Sequence, residues 1–135
     1  LRPGMPKFIF NKLIRDNILQ LHFDAGHHIT YEILKGEALK TKLREKLHEE
    51  ADEIPVRAEV DDEIIEEIGD VQQVLDDLKR QYGITNEQIR AAQAAKFNKK
   101  GGFGRGFFIE TVELPEGDEW VEYYRSAPDK YPEIE

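Results

Sequence analysis

The sequence contains no cysteine, which excludes disulfide staples, thiolate nucleophiles and cysteine-ligated zinc. It also lacks any apolar run near the ~18 residues that a membrane-spanning helix requires, so no membrane partner is expected. The N-terminus shows none of the basic, apolar and small-residue order of a secretory signal, and the cytoplasm is the expected compartment. Leu1-Arg2-Pro3-Gly4, ahead of Met5, reads as a vector remnant and is set aside. Basic residues are in the minority, 19 Lys and Arg against 28 Asp and Glu, a net charge of -9. A surface of that sign repels phosphate backbones, so extended nucleic acid is not an expected partner. A phosphate-bearing ligand has to be drawn in by a local group of lysines and arginines, or by bound cations.

The 135 residues suffice for one domain with one core, and 39% hydrophobic with 35% charged residues is a globular composition. Leu13, Ile14, Ile18 and Leu21 recur at helical spacing up to Gly26 and predict a first helix. His28 to Leu34 alternates apolar and polar residues, as a short strand or extended linker does. Leu39, Leu43, Leu47, Ala51 and Ile54 form the apolar stripe of a second helix, which Pro55 ends or kinks. A third runs from about Asp61 through Ile64, Ile65, Ile68, Val71, Val74, Leu75, Leu78 and Tyr82 to a terminating Gly83. Thr85 with Gln88 is a capping box for a fourth, which Gly101 and Gly102 close. Phe107 to Leu114 has the composition of a strand, and the acidic, proline-containing remainder reads as irregular.

The chemistry lies in two acidic clusters. Helix two carries Glu49-Glu50-Ala51-Asp52-Glu53 and helix three carries Glu66-Glu67-Ile68-Gly69-Asp70. Residues three apart share a helix face, so Glu50 with Glu53 and Glu67 with Asp70 form two claws, each at the edge of its apolar stripe and offset the same way. Packing the stripes together brings the claws face to face. Four carboxylates at one seam repel one another unless a cation compensates them, and hard oxygen ligands suit Mg2+, or Mn2+. Two such ions fit hydrolysis of a phosphoanhydride. Asp77, seven residues beyond Asp70, falls on about the same face and is a candidate further ligand, hydrogen-bond acceptor behind the ligands or substrate contact, with plain surface charge the equal alternative. Solvated surface acids are the bland alternative for each claw alone; the matched pair on consecutive helices favours a site.

The pattern E-E-x-x-E, a short gap, then E-E-x-x-D resembles the all-alpha nucleoside triphosphate pyrophosphatases, the MazG-like group that includes dimeric dUTPases and phosphoribosyl-ATP pyrophosphohydrolase. Asn11-Lys12-Leu13-Ile14-Arg15-Asp16 is similar to the opening K-L-V-R-D of a house-cleaning branch, and Lys96 to Phe103, ending Gly-Gly-Phe, to its closing segment. The resemblance covers about Phe10 to Phe103. It implies an all-α, four-helix-type bundle over 5–103, while composition makes 104–135 a short extended or β arm of the same domain. It further implies a homodimer or dimer of dimers, and Mg2+ held by Glu50, Glu53, Glu67 and Asp70. The implied reaction is hydrolysis of a nucleoside triphosphate to monophosphate and pyrophosphate. Pro55 departs from the pattern by interrupting the helix just after Glu53.

Glu49 is a candidate proton acceptor beside Glu50. Lys12 and Arg15 at one end, and Lys96, Lys99 and Arg105 at the other, are candidate grips for triphosphate oxygens, and Asp16 for a sugar or base. The glycine loop 101–106 lacks the P-loop pattern and reads as a hinge. Glu45 with His48 gives a single Glu-x-x-His, half of what a di-iron bundle needs. Two competing functions stay open: hydrolysis of phosphoribosyl-ATP in histidine synthesis, and a non-catalytic helical interaction module with an acidic face.

Overall fold

A computed structural model describes residues 4–135; Leu1, Arg2 and Pro3 of the expected vector remnant lie outside the described residues. The regular structure among them is all helical: α1 (Ile18–Asp24), α2 (Gly36–Asp52), α3 (Asp62–Tyr82), α4 (Asn86–Lys100) and α5 (Glu119–Arg125). Two compact units result, Leu1–Ala94 and Ala95–Glu135, with the division inside α4. No helix among the described residues is long and apolar enough to cross a membrane.

Local chemistry sets the helix ends. The Asp61 side chain accepts from the Ile64 amide at 3.1 Å and starts α3, with Asp62 and Glu63 in the first turn and Lys79 and Arg80 in the last, as the helix dipole favours. Gly83 ends it at φ 66°, where the Ile84 amide reaches back to the Lys79 carbonyl. The capping box of α4 is reciprocal: the Gln88 amide donates to Thr85 Oγ1 at 3.1 Å, and the Thr85 amide donates to Gln88 Oε1 at 2.8 Å. The end of α2 falls at Asp52, with Glu53 as its cap, because proline at 55 disfavours helical backbone at Ile54.

In the first unit α2 and α3 pack against each other, the one such pair of helices among the described residues. Leu43 and Val74 are the buried apolar side chains. Around them Leu39, Lys46 and Leu47 of α2 and Ile64, Glu67, Val71 and Leu78 of α3 are half-buried. Glu50, not Ala51, continues the inner face of α2: Glu50 is buried and Ala51 exposed. The claw residue therefore sits on the packing face and not at its edge.

Three expectations need correction. The first helix is seven residues long and begins at Ile18, not near Leu13. Asn17 makes no side-chain cap bond, and no residue of α1 is buried, so neither a cap nor tertiary burial offsets the cost of nucleating a longer helix. No strand forms among the described residues: 28–34 is a linker, the other of its two expected forms, and 107–114 pairs with nothing. A lone extended segment has no neighbour for its backbone N–H and C=O groups. A closed four-helix bundle is likewise not seen, since α1 is too short and every residue of α4 except Ile89 is exposed.

The second unit holds α5, in a segment expected to be irregular. Asp118 accepts from the Trp120 amide at 2.8 Å and caps it. Trp120, Tyr123, Tyr124 and Tyr131 form an aromatic cluster with ring centroids 4.8 to 6.3 Å apart. Arg125 ties the ends together, donating to Glu116 at 3.0 Å and to Glu133 at 2.8 and 2.9 Å.

Candidate metal centre

The seam between α2 and α3 brings Glu50, Glu67 and Asp70 together, each offering a carboxylate oxygen, with the three oxygens within 4.8 Å of one another. One residue comes from α2 and two from adjacent turns of α3. Glu50 is only 9% exposed. Its Oε2 and the Oε2 of Glu67 are buried without a hydrogen-bond partner. Unsatisfied buried carboxylate oxygens are costly, and converging ones more so. Carboxylate oxygens so placed are a donor set that could hold a hard, oxygen-preferring divalent cation.

Burial, then the neighbouring Glu53 carboxyl, raises the pKa of Glu50 above the ordinary carboxylate value, against the lowering effect of Lys46. The proton is thus held more tightly in the folded chain than in the unfolded one. Below the ordinary carboxylate pKa the group is neutral in both states and costs nothing. As pH rises from the ordinary value to the raised one, the unfolded chain ionises first and stability falls, with the full penalty present above the raised value in the metal-free protein. Glu50→Gln is therefore expected to raise the melting temperature of the chelator-treated protein by a few degrees at pH 7, with the gain vanishing near pH 4. A melting series across pH checks this; equal melting temperatures at neutral pH would contradict it.

Other acidic residues are placed differently. Glu53 caps α2 and lies outside the group of three, although close enough to act on Glu50. Glu49 accepts from Lys12 Nζ at 3.0 Å and from Lys46 Nζ at 3.4 Å. The Lys12 hydrogen bond holds its pKa below the ordinary value. Asp77 accepts from Arg80 at 2.6 Å and from Gln73 at 3.3 Å on its own helix. Asp16 is exposed in the turn before α1.

Of the cationic candidates, Lys12 and Arg15 lie at the seam: Arg15 Nη2 is 2.5 Å from Asp70 Oδ1. Lys96, Lys99 and Arg105 belong to the second unit, where Arg105 lies 4.7 Å from the centre of the Phe107 ring. Lys46 was not anticipated. Its Nζ stands 3.4 Å from both Glu49 and Glu50, and its spacing four residues before Glu50 was the available signal.

No protein-family model, curated protein or solved structure matches the chain. The seam's own geometry therefore carries the functional reading.

Proposed function

We propose that the chain is a magnesium-dependent nucleoside triphosphate pyrophosphohydrolase, releasing nucleoside monophosphate and pyrophosphate. The observation that carries this is the convergence of Glu50, Glu67 and Asp70 with two buried, unpartnered oxygens at one helix seam. These three residues would hold the ion. Bound Mg2+ would polarise a phosphoryl oxygen and lower the pKa of a coordinated water. Glu49, next to Glu50 in the chain, is the candidate acceptor of a proton from that water once Lys12 turns to phosphate. Lys12 and Arg15 supply positive charge for phosphate oxygens on an otherwise acidic protein.

The resemblance to MazG-like enzymes in the two acidic motifs supports hydrolysis between the α and β phosphates, and a role in clearing damaged or non-standard nucleotides. It also supports a homodimer, in which two α2–α3 pairs together supply the four helices of a bundle. The test is a pyrophosphate-release screen over ordinary and damaged nucleoside triphosphates, with phosphoribosyl-ATP included, in Mg2+ and in chelator. Magnesium-dependent pyrophosphate release from at least one nucleotide is expected. No release from any, with no metal-induced thermal stabilisation, is the outcome expected of a non-catalytic module and would refute the proposal.

A further inference from the structure

Residues 5–15 form no helix or strand, yet this segment is fixed to both walls of the seam. Lys12 Nζ lies 3.0 Å from Glu49 Oε1 on α2, and Arg15 Nη2 lies 2.5 Å from Asp70 Oδ1 on α3. Both cationic side chains are more than half exposed, so neither is held by burial. Asn11, just before Lys12, takes a left-handed backbone at φ 46°, a conformation that asparagine tolerates well. The segment is thus a strap across the seam, pinned at two points by charge.

The pins engage the site itself. Of the three converging carboxylates, Glu50 and Glu67 each present a buried oxygen with no partner, whereas Asp70 already carries a guanidinium. Around the seam stand five carboxylates, Glu49, Glu50, Glu53, Glu67 and Asp70, and three cations, Lys12, Arg15 and Lys46. Arg15 sits where a cation's charge is wanted, and a dication entering beside it meets like-charge repulsion.

We propose that Arg15 is a built-in counter-ion that competes with the divalent cation for Asp70, so that metal entry releases the strap and frees Arg15 and Lys12 to bind polyphosphate. This rests on the metal reading of the seam and adds to it an order of events: the cationic grip is tied down on the empty site and becomes available once the metal is in place. Metal and phosphate then bind with positive coupling, since the first removes the contact that withholds the second. It also follows that deleting the pin has effects of opposite sign on the two ligands.

The experiment is calorimetric titration of Mn2+ into the full chain, as wild type, Arg15→Gln and Arg44→Gln. Arg44 is exposed on α2 and makes no ion pair among the described residues, so its variant controls for the change in net charge. Arg15→Gln should bind Mn2+ about tenfold more tightly than wild type, with Arg44→Gln within about twofold. In saturating Mn2+, Arg15→Gln should bind inorganic tripolyphosphate about tenfold more weakly than wild type. Mn2+ affinity that is unchanged or weaker in Arg15→Gln, in a wild type that binds the ion, overturns the counter-ion role and leaves the metal site standing. Unchanged tripolyphosphate binding overturns the release of a phosphate grip. Absence of Mn2+ binding to all three forms overturns the metal reading and the strap together.

Discussion

Glu67→Gln is expected to reduce magnesium-dependent pyrophosphate release by at least about 10³-fold while leaving the helical circular dichroism unchanged. Glu67 lies on the inner face of α3 and contributes one of the two buried oxygens that no protein donor satisfies. The amide keeps the shape and removes the charge that binds the ion. Because that oxygen makes no hydrogen bond, the substitution breaks none, and α3 keeps its Asp61 cap and Gly83 terminus. The same variant should lose the metal-induced rise in melting temperature that a site populated only in the folded state confers. Full activity in Glu67→Gln would remove the seam from the reaction.

A second large effect is expected on α3, beside the face that packs against α2. Ile65, Ile68, Leu75 and Tyr82 recur at spacings of three and seven residues, so they form one stripe. They are 60, 43, 40 and 58% exposed. A side chain of this kind contributes roughly 1.5–3 kcal/mol when fully buried, and the first unit buries only Leu43 and Val74 well. A half-exposed stripe of this length, flanking the face already packed on α2, fits a second copy of the same hairpin, as the proposed homodimer requires. The double substitution Ile68→Glu with Leu75→Glu should convert a dimer to a monomer in sedimentation equilibrium and lower the melting temperature by more than about 10 °C. A wild-type protein that stays monomeric at high micromolar concentration, or a double variant that still dimerises, would contradict this.

Much of the first unit was legible because several signals agreed. In α3 a 21-residue amphipathic stripe, an aspartate cap, acid first and base last, and a closing glycine all mark the same ends. Thr85 and Gln88 made the contact that their spacing predicts. The two acidic motifs were visible, and so was the principle that helices packed along their stripes bring them together. What sequence left open was rotation. Glu50, expected at the edge of its stripe, lies on the inner face, while Glu53, one turn later, falls on the cap that Pro55 imposes.

Other misses have the same kind of cause. Leu13 and Ile14 have helical spacing, but spacing alone does not nucleate a helix that buries nothing. The apolar run at 107–114 read as a strand because apolar composition says nothing of whether a partner strand exists. The start of α5 was marked by Asp118, with Glu119 and Glu122 in the first turn and Arg125 in the last, signals obscured by the surrounding prolines and acids. The strap was not foreseen either, because a contact between Arg15 and Asp70, 55 residues apart, has no local signature.

The most direct check on the seam is anomalous diffraction from crystals soaked in Mn2+, with the wavelength chosen at the manganese edge. An anomalous peak is expected between Glu50, Glu67 and Asp70, with carboxylate oxygens about 2.2 Å away. A fully soaked crystal with no peak at these residues, or with manganese bound only elsewhere on the acidic surface, would contradict the metal centre.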